Sequence, residues 1–124
     1  MAVAVFDPDG PGLRVRFTFT GLVLASYTFT LWSATDNSWV MHESGNNQNP
    51  ADDVFDLPEP AKENAGRLVE LRTEFIAADG EAGNEYDIMA ELVQGDRHLA
   101  EVHDKGELTG KAQSSLLYVK LTTA

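Results

Sequence analysis

Two stretches near the N-terminus alternate apolar and polar positions with a period of two. From Leu13 to Thr20, Leu13, Val15, Phe17 and Phe19 oppose Arg14, Arg16, Thr18 and Thr20. From Ala25 to Trp32, Ala25, Tyr27, Phe29 and Leu31 oppose Ser26, Thr28, Thr30 and Trp32. This spacing predicts strands with one buried and one wet face. Glu85–Gln94 repeats the pattern with Tyr86, Ile88, Ala90 and Leu92, and Ser115–Thr122 repeats it with Leu117, Val119 and Leu121. Shorter strands are expected at Ala2–Phe6, Ser38–His42, Val54–Leu57 and Arg97–His103, with an irregular one at Leu108–Lys111.

Turn chemistry separates these segments. Asp7-Pro8-Asp9-Gly10-Pro11-Gly12, Ala34-Thr35-Asp36-Asn37, Asp79–Asn84 and Gly95-Asp96 carry the glycine, proline and Asx residues that tight turns require. Gly95-Asp96 predicts a two-residue hairpin. Glu43–Asp53 has no apolar period and reads as a long loop. Residues 61–78 fit two patterns. Ala61, Ala65, Leu68 and Phe75 fall near helical spacing, whereas Val69, Leu71, Thr73, Phe75 and Ala77 alternate. Gly66 weakens the helix, so a strand over Arg67–Ala77 is the preferred reading.

The predicted fold is therefore all-β. It is an antiparallel two-sheet sandwich of seven or eight strands, immunoglobulin-like or jelly-roll-like, forming one domain over residues 1–124. The alternative is α+β with one helix near 61–78.

Charge narrows the function classes. The 124 residues carry a formal net charge of −11, which repels nucleic acid and anionic membrane surfaces and favours a basic protein partner. There is no cysteine, so disulfides and thiolate metal sites are excluded. The absence of disulfides, together with an N-terminus lacking the features of a signal peptide, points to the cytoplasm. No apolar run is long enough to span a membrane as a helix.

No nucleophile elbow, phosphate-binding loop or metal motif occurs, so neither catalysis nor a cofactor is expected. His42, His98 and His103 are the only histidines. His98 and His103 lie five apart, which on a regular strand puts them on opposite faces and keeps them from sharing a metal. Two binding surfaces remain. The first is acidic: Glu74, Glu85, Asp87 and Glu91 lie in a run without Lys or Arg and suit a protein partner, as would a sheet edge. The second is aromatic. Trp32 falls on the polar side of its strand and Trp39 lies across the turn, followed by His42, Asn46, Asn47, Asp52 and Asp53. Flat rings beside amides and carboxylates suit a glycan. The competing reading puts both indoles in the core. A homo-oligomer is compatible with either surface.

Overall fold

The computed structural model describes residues 1–48 and 53–124. Among these residues nine strands form two sheets, more than the seven or eight expected. They are β1 (Ala2–Phe6), β2 (Leu13–Thr20), β3 (Val23–Trp32), β4 (Trp39–Asn46), β5 (Asp53–Asp56), β6 (Leu68–Ala77), β7 (Glu85–Gln94), β8 (Arg97–Glu107) and β9 (Gln113–Thr123). A five-stranded sheet has the order β1-β9-β6-β3-β4, and a four-stranded sheet the order β5-β2-β7-β8. The all-β sandwich read from the alternation is the observed architecture.

The inward set follows the alternation. Phe17, Phe29, Leu31, Leu71, Ile88 and Leu121 are among the largest fully buried side chains. Phe17 on β2 meets Phe29 on β3 edge to face, with centroids 5.4 Å apart, so the aromatic contact bridges the two sheets. Phe19, at the end of β2, is only partly buried and stacks on Tyr27. Burial of this cluster supplies the main driving force of folding.

The preferred reading of residues 61–78 holds, and the helical alternative does not. Strand β6 pairs antiparallel with β3 on one side and β9 on the other. Only Ala61–Asn64 is helical, as a single 3₁₀ turn. Buried Asn64 ties this segment down. Its amide donates to the Pro58 carbonyl at 2.9 Å, and its oxygen accepts from Arg67 at 3.1 Å. Gly66 then turns the chain at φ +83°, where an L side chain would be strained.

Several details differ from the sequence expectations. Strand β1 runs parallel to β9, whereas every other pair is antiparallel. These two strands are distant in the chain, so no short hairpin fixes their direction. Leu108–Lys111 is not a strand: buried Leu108 instead anchors a turn, exchanging backbone hydrogen bonds with Gly83 and Asn84. Strand β4 continues to Asn46, four residues beyond the expected end, because β3 offers a full ladder through Ser26. No helix is long and apolar enough to cross a membrane among the described residues.

Candidate functional site

The registers align side chains in rows across the outer face of the five-stranded sheet. Trp39, Trp32, Leu68, Lys120 and Val3 form one row through β4, β3, β6, β9 and β1. His42, Thr30, Glu70 and Tyr118 form the next. Cross-strand neighbours on one face lie about 5 Å apart, close enough to act as one surface. Neither indole belongs to the core: Trp39 is 57 % exposed and Trp32 is half-buried. The Trp39 ring lies against His42 at a centroid distance of 5.4 Å, and His42 Nδ1 meets the Thr30 hydroxyl at 3.0 Å.

A shallow cleft of about 550 Å³ opens at this end of the face. Trp32, Leu68, Glu70, Tyr118 and Lys120 line it, with Asp36 and Asn37 from the β3–β4 turn at its rim. Asp36 staples that turn by accepting from the backbone N–H and hydroxyl of Ser38, which hold its carboxyl below the usual range. Lys120 donates from Nζ to the Gly66 carbonyl at 2.8 Å. Glu70 is only 8 % exposed although it faces outward, between Thr30 and Tyr118 in register. The Tyr118 phenol lies against it. Burial first, and the Glu70 carboxylate next, raise the phenol's pKa.

Of the residues expected to bind a ligand, Trp32, Trp39, His42 and Asn46 share this outer face. Asn47 does not act as a free amide. Its Nδ2 donates to the Val23 carbonyl at 2.8 Å and its Oδ1 accepts from the Ala25 N–H at 2.9 Å, extending the β3–β4 ladder. Asp53 lies beside the Tyr27 hydroxyl at the edge of the core. There burial first, and Asp53 next, push the phenol's pKa up. Asp52 lies outside the described residues.

The acidic run is divided. Glu74 faces outward on the five-stranded sheet, in register with Ser26 and Ser114. Asp87 and Glu91 face outward on the four-stranded sheet, opposite Thr20 and Arg16, and Glu85 shares their parity. The chain changes sheets between β6 and β7, so one charge run becomes two surfaces. On the second, Arg16 and two histidines interleave with the carboxylates. Glu91 pairs with His98 Nδ1 at 2.8 Å and approaches Arg16 at 3.8 Å, and Asp87 pairs with His103 Nδ1 at 2.8 Å.

The histidines correct a sequence expectation. His98 and His103 point to the same face. Register shifts at Leu92/Val93, where Leu92 pairs with Ala100 and Val93 with His98, leaving Leu99 as the extra residue of a bulge. The bulge restores a common parity, and Glu101 sits between the two rings in contact with both. The bonds to Asp87, and next to Glu101, raise the pKa of His103. No group of three or more ligating side chains is gathered to hold a metal ion among the described residues.

Sequence reasoning did not single out Glu70 and Tyr118. Both have outward parity on their strands, but only the register of β3, β6 and β9 brings them together beneath Trp32. Comparison with protein families, with curated proteins and with solved structures finds no match for this chain.

Proposed function

We propose that this protein is a non-enzymatic recognition module that binds a basic protein partner through the outer face of the five-stranded sheet. The observation that carries this reading is the distribution of exposed apolar side chains. Val3, Val5, Leu24, Trp39, Ile76 and Leu116 lie on that one face, and they are six of the nine large hydrophobics exposed among the described residues. Concentrated apolar surface with polar groups between marks an interface. Charge favours a basic partner: the chain carries −11 overall, and Glu70 and Glu74 lie within the face. The acidic residues of the other sheet are weaker candidates, since Asp87 and Glu91 are already engaged by His103, His98 and Arg16.

Three immobilised proteins test this reading: the wild type, Ile76→Asp/Leu116→Asp, and the opposite-face pair Asp87→Lys/Glu91→Lys. Each is challenged with extract from the native source. A basic partner retained by the wild type and the opposite-face pair, and lost by Ile76→Asp/Leu116→Asp, is the expected result. Loss with Asp87→Lys/Glu91→Lys alone transfers recognition to the four-stranded sheet.

A second reading rests on the in-register Trp39–Trp32 row beside His42, Thr30, Glu70 and Tyr118. Rings flanked by hydrogen-bonding groups also suit a glycan. A saturable tryptophan fluorescence change with a neutral oligosaccharide, abolished by Trp39→Ala, favours it.

A further inference from the structure

The reading above leaves open what the partner inserts at the aromatic end of the face. We propose that the cleft between Trp32 and Tyr118 is a socket for an arginine side chain of the partner, with the Glu70 carboxylate as its counter-ion. This rests on the reading above and names the chemistry of its central contact.

A carboxylate largely withdrawn from water is costly unless a cation or several donors satisfy it. Glu70 is only 8 % exposed and lines an open cleft. It takes part in none of the ion pairs found among the described residues. Two cations are near in the fold, yet neither pairs with it. Lys120 commits its ammonium to the Gly66 carbonyl. Arg72 lies one row along the same face, in register with Thr28 and Leu116, and is exposed. Of the two neighbours of Glu70 in register, Thr30 holds its hydroxyl against His42, and Tyr118, whose phenol lies against the carboxylate, brings a single proton.

The cleft walls select the cation. Trp32 and Tyr118 line it, and aromatic faces attract a cation by their quadrupole. A guanidinium is planar, stacks on such rings, and presents a fork that fits a carboxylate through two hydrogen bonds. An ammonium is more strongly hydrated and lacks the fork, so lysine should bind less well. Leu68, which also lines the cleft, suits the aliphatic stem of a long side chain.

N-acetyl-arginine amide, N-acetyl-lysine amide and the neutral isostere N-acetyl-citrulline amide are the probes. Each is titrated against the full chain carrying Trp39→Phe, so that Trp32 is the only fluorescent indole. The arginine probe should give a saturable change, with the lysine probe weaker and the citrulline probe weaker by about tenfold or more, as expected for loss of a charge-assisted pair. Glu70→Gln keeps the side-chain shape and should weaken the arginine probe by a similar factor, while Glu74→Gln on the same face should change it less than about twofold. Circular dichroism checks the fold of each variant, and Tyr118→Phe provides a second perturbation of the same site should Glu70→Gln unfold. Equal binding of the arginine and citrulline probes, or undiminished arginine binding by folded Glu70→Gln, overturns the socket. A socket that fails while Ile76→Asp/Leu116→Asp still abolishes partner binding leaves the broader interface standing.

Discussion

Replacing Asn47 by alanine separates a ligand-facing amide from a structural one. The side chain makes two hydrogen bonds to the backbone of β3, one as donor to Val23 and one as acceptor from Ala25. Each such bond is worth about 0.5–1.5 kcal/mol net, and more where the abandoned group stays dry. The pair is partly buried, so water replaces some of what is lost, and the cost should be about 1–2 kcal/mol. With a urea slope of about 1–2 kcal/mol/M for a small domain, the unfolding midpoint should fall by roughly 1 M. Asn47→Asp keeps the acceptor for Ala25 but sets a carboxylate against the Val23 carbonyl, so it should lose a comparable amount. Equilibrium urea unfolding, followed by far-ultraviolet circular dichroism, reads both variants. A loss below about 0.5 kcal/mol for both would refute the structural role and return Asn47 to the set of candidate ligand contacts.

Three further predictions bear on the core, the inner face and the histidine ladder. Phe29→Ala empties a site closed by Phe17 and Phe55, each with its ring centroid 5.4 Å away, and should cost about 3–5 kcal/mol in denaturant unfolding; less than about 1 kcal/mol would mean that the wrong face was assigned inward. Gly45→Ala would drive its Cβ into the Tyr27 ring and should destabilise by about 1–3 kcal/mol, whereas an unchanged midpoint would show that β4 shifts freely. His103 should titrate above 6.5 by nuclear magnetic resonance, and Asp87→Asn should move it back down. Because its folded pKa is raised, the stability that this histidine contributes is fully present below 6.5 and is lost as pH rises through the folded value. A midpoint at or below 6.5 in the wild type would contradict the pairing.

Alternation made most of the fold legible. Phe17, Phe29, Leu71, Ile88 and Val119 all lie on the side their parity assigns, because a sheet with one buried face imposes that period on the chain. The same parity put Trp32 outward, and the structure agrees. Hairpins joined by a short turn, β3–β4 and β7–β8, were legible as pairs, but relations between more distant strands were not. Glu74 and Asp87 sit in one charge run, yet crossing between sheets sends them to opposite sides of the sandwich. His98 and His103 were separated by counting in twos, and one extra residue at Leu99 cancels that count. A bulge has no strong side-chain signature in this segment, so its position emerges only from pairing with β7. Glu70 likewise looks like any exposed strand carboxylate until Thr30 and Tyr118 are set beside it.

The parallel pairing of β1 has a consequence for how the molecule is made. Among the described residues its only partner in the sheet is β9, in register from Ala2 with Val119 to Phe6 with Thr123. During synthesis β1 therefore leaves the ribosome ahead of the other eight strands described and lacks its sheet partner until residues 119–123 have emerged. Phe6, whose final place is the core, stays solvent-accessible or borrows temporary contacts for that whole interval. A hairpin such as β7–β8 closes as soon as its second arm appears, but the five-stranded sheet is completed only by a contact spanning nearly all the sequence described. Such long-range closure slows folding and lengthens exposure to wrong partners. On a stalled nascent chain with β8 outside the exit tunnel and β9 still inside it, β1 should be digested by protease while the β2–β7–β8 segment is already protected.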